Sequence, residues 1–186
     1  MVPILSLWLP ILLAAVLVFV ASSVIHMVLG YHNSDFSKLP DEAGVMNALR
    51  PFDLSPGEYM FPKCDSMKQM SDPEFVAKLE KGPTAFMTVM PRGVPKMGGQ
   101  LLQWFVYAIV VSVFAAYIAS RAVGPDPTYL DVFRFTGATA FFCYTVAGWQ
   151  ASIWYRRAWS TSIKNTFDGL VYACLTAGVF GWLWPG

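Results

Sequence analysis

Charge is what this sequence has least of. Asp, Glu, Lys and Arg make up only 13% of its 186 residues, where a soluble domain carries about 25%. The deficit is uneven, because most charges fall between Asp35 and Lys96 or in short connections. Long stretches carry none, and that pattern excludes an ordinary soluble domain. Net charge is +1, so no global field draws in nucleic acid or an acidic partner. No block of roughly five or six like charges forms a polybasic arm.

Cysteine and histidine are scarce too. Cys64, Cys143 and Cys174 are odd in number, far apart and without a C-x-x-C pair, which argues against a disulfide framework or a zinc site. By helix position Cys143 and Cys174 differ in depth by roughly 9 Å, too far to bridge. The two histidines, His26 and His32, sit together at the end of the first apolar run. One chain therefore lacks the pair of facing histidines that b-type haem requires. There is no P-loop, G-x-G-x-x-G, H-E-x-x-H or G-x-S-x-G, and so no nucleotide, metal or nucleophile motif.

What the chain has is apolar length. Hydrophobic residues reach 55%, with mean hydropathy +0.47. A membrane span needs about 20 apolar residues to cross roughly 30 Å of hydrocarbon. Four stretches approach that length: Val2–Leu29, Gln100–Ser120, Phe135–Tyr155 and Gly169–Trp184. Aromatic residues cluster at their ends, where a ring meets both lipid and water. The first stretch has no Lys or Arg before it and exceeds a signal-peptide core, so it is expected to be retained. Pro10 is expected to bend that helix or mark its true start.

The fold expected is an all-α membrane protein with four transmembrane helices and a small α/β cytoplasmic cap between the first two. Residues 1–30 form the first span, 31–99 the cap and 100–186 the other spans. Arg92, Lys96, Arg156 and Arg157 flank one side, against Arg121 and Arg134 on the other. The basic side is normally cytoplasmic, which puts both termini outside, as in a bacterial inner membrane. Within the cap, Pro40-Asp41-Glu42 starts a helix to Leu49, and Ser55-Pro56-Gly57 turns into an extended run Glu58–Phe61. Ser71-Asp72-Pro73-Glu74 starts a second helix that Gly82-Pro83 ends, and Thr84–Met90 alternates like a strand. The spans differ too much for an inverted-repeat plan.

Ionisable groups at a bilayer edge are costly and often functional. By helix arithmetic His26, Gln150, Asp168 and Tyr172 share one depth near the cytoplasmic face, a candidate polar site with His26 and Asp168 as a proton-carrying pair. Asp168 equally reads as the N-cap of the fourth helix. On the other side Arg121, Asp126, Asp131 and Arg134 surround Gly-Pro-Asp-Pro, which reads as salt bridges closing a hairpin or as an anion- or partner-docking patch. Small residues recur every fourth position at Ser112, Ala116 and Ser120, at Ala147 and Ala151, at Gly148 and Ser152, and at Ala173, Ala177 and Gly181, and such faces let helices approach closely.

Missing motifs and abundant packing surface favour a non-catalytic accessory or structural subunit of a larger membrane complex. Its partners would be the lipid bilayer and a membrane protein or further copies of itself, not nucleic acid. One alternative is a small oligomeric transporter or channel. Another is a membrane-embedded enzyme at the cytoplasmic boundary, using His26, His32, Asp35 and Asp168. No cofactor is specified: the Trp, Phe and Met content suits lipid, pigment or quinone equally.

Overall fold

Proline sets where the first helix begins. In the computed structural model, which describes residues 2–185, a short 3-10 turn over Ile4–Leu7 leads into α1, Trp8–Met27. Pro10 lies in the first turn of α1, where its missing N–H removes no helical bond. Helix α2 covers Glu42–Leu49, strand β1 Gly57–Phe61, helix α3 Pro73–Lys81 and strand β2 Ala85–Val89. Then come α4 over Gly98–Ala122, α5 over Tyr129–Tyr144, the short α6 over Trp149–Trp154 and α7 over Trp159–Leu183.

Three of these helices are long and apolar enough to cross a membrane: Ile4–Met27, Gly98–Ala122 and Trp159–Leu183, with mean hydropathies of 2.7, 2.0 and 1.3. The expected third span, Phe135–Tyr155, is not one continuous helix. α5 stops at Tyr144, a 3-10 turn occupies Val146–Gly148, and α6 follows. Thr145 marks the break: its hydroxyl bonds back to the Phe141 carbonyl at 2.6 Å, a pairing that bends helices. At 1.5 Å per residue, the 16 residues of α5 reach only about 24 Å. The last helix departs from expectation in the other direction. It begins at Trp159 rather than near Gly169 and has Ala158 as its N-cap, because no proline or glycine interrupts the polar run from Trp159 to Asp168. Asp168 is therefore a buried mid-helix residue, not a cap.

The chain divides into two compact units, residues 1–37 with 96–186, and residues 38–95. In the larger unit α1, α4, α5 and α7 pack in a ring, each against the next and α7 against α1. Neighbours run antiparallel. Ala15 and Val18 of α1 meet Ala108 of α4, while Leu7 and Ala14 lie in one cluster with Ala116 and Phe180. A Cβ built on Gly137 would meet Ala177, and one on Gly169 would meet Thr145. Trp104 donates to Ser22 at 2.7 Å, satisfying an indole N–H that lipid could not. The small faces of α4 and α7 are used inside the chain, since Ser112, Ala116, Ser120, Ala173 and Ala177 are all buried, whereas Ala147 and Gly148 are exposed.

The smaller unit follows its local signals. Asp41 caps α2 through the Gly44 N–H, and Asp72 caps α3 through the N–H groups of Glu74 and Phe75. β1 and β2 pair antiparallel, from Gly57 opposite Val89 to Phe61 opposite Ala85. Thr88 bonds the Glu58 carboxylate across the ladder at 3.0 Å.

Candidate functional site

The chain leaves α1 by a reversal that only a few residues permit. Gly30 has φ +64, a left-handed conformation costly for residues with a Cβ. The 3-10 turn Tyr31–Asp35 follows, and this turn packs on α7. For that reason residues 31–37 belong with the helices rather than with the segment after them.

The docked turn and α7 exchange a set of polar contacts. His32 stands between two carboxylates, with Nδ1 2.7 Å from Asp35 Oδ2 and Nε2 2.8 Å from Asp168 Oδ2. Tyr31 donates its hydroxyl to the other oxygen of Asp168. One helical turn earlier on α7, Lys164 donates to Asp35 Oδ1 at 2.8 Å, Ser34 Oγ at 2.7 Å and the Tyr31 carbonyl at 2.8 Å. The ammonium has three protons, and all are used. Asp35 and Asp168 side chains are only 6% and 4% exposed. Burial alone would raise the Asp35 carboxyl, but hydrogen bonds and charge from Lys164 and His32 hold it below the usual carboxylate value.

His26 completes the group. Its Nε2 is 4.0 Å from Asp168 Oδ2, and its ring lies 4.4 Å from that of His32, centroid to centroid. Unlike the others, its side chain is half exposed, at 49%. It faces a cavity of about 220 Å³ whose lining also includes Asp168, Tyr172, Tyr144, Arg157 and Asn165. The hydroxyls of Tyr144 and Tyr172 are buried without a hydrogen-bond partner among the described residues, an arrangement that costs about 1–3 kcal/mol each unless something pairs with them.

Of the four residues expected to share a layer, three line this cavity: His26, Asp168 and Tyr172. Gln150 is exposed on α6 and is not part of the lining. The depth arithmetic assumed an unbroken helix, and the turn at Val146–Gly148 rotates Gln150 away. His32 is brought into contact with Asp168, and Asp35 with the other ring nitrogen of His32. Lys164 and Tyr31 are additional members. Their signal in the sequence is slight, a lone lysine one turn before Asp168 and an aromatic beside His32.

The other charged group is built differently. Thr128 and Asp131 form a capping box at the start of α5, the Thr128 hydroxyl accepting the Asp131 N–H while the Asp131 carboxylate accepts the Thr128 N–H. Arg134 lies 3.8 Å from Asp131, Arg121 sits over the Tyr117 ring at 5.6 Å, and Asp126 is exposed. Capping accounts for Asp131, and none of this set lines the cavity faced by His26. Thr128→Ala is expected to cost about 1 kcal/mol, read as a shift in unfolding free energy in mixed micelles. An unchanged value would show that the box does not hold α5.

Compared with family models, with curated proteins and with solved structures, the chain finds no match.

Proposed function

We propose that this protein is a small membrane-embedded enzyme whose reaction centre is the cavity faced by His26 and Asp168, at the cytoplasmic end of a four-span bundle. In this reading α5, the turn after it and α6 together complete the fourth crossing. The observation that supports it most is Asp168. A carboxylate 3% exposed is held by a histidine and a tyrosine more than 130 residues earlier in the chain, yet still lines an open cavity. A purely structural ion pair needs no such opening, and it leaves unexplained the two orphan tyrosine hydroxyls beside it.

Roles follow from position. Lys164 and Asp35 hold His32, and His32 and Tyr31 hold Asp168, the kind of support that fixes reactive groups in place. His26, half exposed, is the residue free to meet a substrate. Trp104 and Trp149 form apolar wall, and Arg157 and Asn165 bring polar groups. The substrate class that fits is a small amphipathic molecule with an anionic or strongly polar end. Of the small-residue faces that would serve an accessory subunit, those on α4 and α7 are occupied within the chain, while Ala147 and Gly148 are exposed.

The test is a comparison of membranes carrying the wild type, His26→Gln or Asp168→Asn, each incubated with a cell extract and followed by untargeted mass spectrometry. At least one polar amphiphile should be consumed by the wild type and spared by both variants. Indistinguishable spectra from all three would remove the enzyme reading.

A further inference from the structure

The residues facing the cavity are also a ligand set. We propose that His26, His32 and Asp168 bind one divalent first-row transition-metal ion of the zinc class, with the fourth coordination position open to the cavity. This rests on the reading of the cavity as the working site and gives that site a cofactor.

Geometry comes first. One ligand atom from each residue lies within 4.8 Å of the other two. His32 Nε2 and Asp168 Oδ2 are 2.8 Å apart, and His26 Nε2 and Asp168 Oδ2 are 4.0 Å apart. Around a tetrahedral ion with bonds of about 2.0–2.2 Å, adjacent ligand atoms sit about 3.3 Å apart. The first pair must open by about 0.5 Å and the second close by about 0.7 Å, while the two histidine nitrogens, within 4.8 Å of each other, must close by up to about 1.5 Å. His26, the residue that moves furthest, is the one least enclosed.

The second layer points the same way. Metal-binding histidines usually donate their other ring N–H to a carboxylate, which fixes the ring and makes the ligand nitrogen more basic. Asp35 Oδ2 sits 2.7 Å from His32 Nδ1 for that purpose, and Lys164 in turn holds Asp35. Two imidazoles and one carboxylate select zinc and its neighbours over magnesium or calcium, which prefer all-oxygen shells. Three protein ligands with one position left free is the pattern of a catalytic rather than a structural zinc. The orphan hydroxyl of Tyr172, on a residue only 4% exposed, lines the same cavity.

Protons balance. Without metal both ring nitrogens of His32 face carboxylate oxygens. On binding, any hydrogen on Nε2 leaves to solvent through the cavity, while Nδ1–H stays on Asp35.

The experiment uses the full chain in detergent micelles, purified through a tag without histidine, stripped with chelator and dialysed against zinc chloride. The expected result is one zinc per chain, unaffected by excess magnesium, and for cobalt(II) the visible absorption of a four-coordinate site. Asp168→Asn and His26→Gln should each weaken zinc binding at least tenfold, and Asp35→Asn roughly 10–100-fold as the loss of an outer partner does. Because His26 is half exposed, His26→Gln should fold, and its unfolding midpoint checks this. Absence of stoichiometric zinc from the wild type, or binding unchanged in folded His26→Gln, overturns the proposal. Substrate consumption persisting in metal-free protein would discard the metal and keep the enzyme. Stoichiometric zinc with no compound consumed would do the reverse.

Discussion

Replacing Lys164 by methionine should lower the unfolding free energy by about 2–3 kcal/mol, measured by titrating a denaturing detergent into mixed micelles. Breaking a buried ion pair from one side costs about 3–5 kcal/mol, since the remaining charge stays behind unpaired. The Lys164 side chain is 23% exposed, so water recovers part of that loss, which sets the lower figure. Methionine keeps most of the aliphatic length but leaves Asp35 Oδ1, Ser34 Oγ and the Tyr31 carbonyl without their donor. Removing both charges, in Lys164→Met with Asp35→Leu, should restore part of the loss, because no orphan carboxylate remains while His32 Nδ1 is left without its partner. A single variant within about 0.5 kcal/mol of wild type would mean that the contact contributes no more than an ordinary surface position.

A substitution at Gly169 carries the other large effect. A Cβ there would lie 2.1 Å from Thr145 Cγ2 and 3.3 Å from Tyr144 Cβ, and Thr145 is itself buried. Alanine is favoured over glycine in a helix by about 1 kcal/mol, but forcing α7 from the end of α5 costs about 1–3 kcal/mol and can exceed that. Gly169→Ala should therefore destabilise by about 1–2 kcal/mol. On the same helix a Cβ at Gly178 would meet only the Tyr129 hydroxyl at 3.8 Å, an ordinary contact. Gly178→Ala should stabilise by up to about 1 kcal/mol. The two alanines thus have opposite signs, and a gain at Gly169 would show that the helices are not in the contact described.

The contrast bears on what could be read from the chain. Segments 41–49, 58–61, 73–81 and 84–90 were legible because their signals are local: an aspartate cap, a proline in the first turn, Gly82 at the end, alternation along a strand. Strong apolar runs revealed α1 and α4 just as directly. α7 was legible only in its apolar half, because the half that includes Lys164 and Asp168 is polar where it receives the Tyr31–Asp35 turn. Periodicity cannot reveal a helix face whose partner is a turn 130 residues away. The depth argument still found His26, Asp168 and Tyr172, since it needs only two uninterrupted helices. It failed for Gln150, where a threonine back-bond and a turn interrupt the third. Lys164 and Tyr31 came from tertiary contact alone.

The adjacency of α1 and α7 has a consequence for synthesis. Asp35 and His32 emerge early, whereas Lys164 and Asp168 are added some 130 positions later, roughly 6–26 s at ribosomal speeds. During that interval the turn after α1 has no partner on α7, and of its two carboxylates His32 has only Asp35 within reach. Arrival of α7 is then also what assembles the pocket, so a chain truncated before Lys164 would keep the His32–Asp35 contact but lack every contact that Lys164 and Asp168 supply.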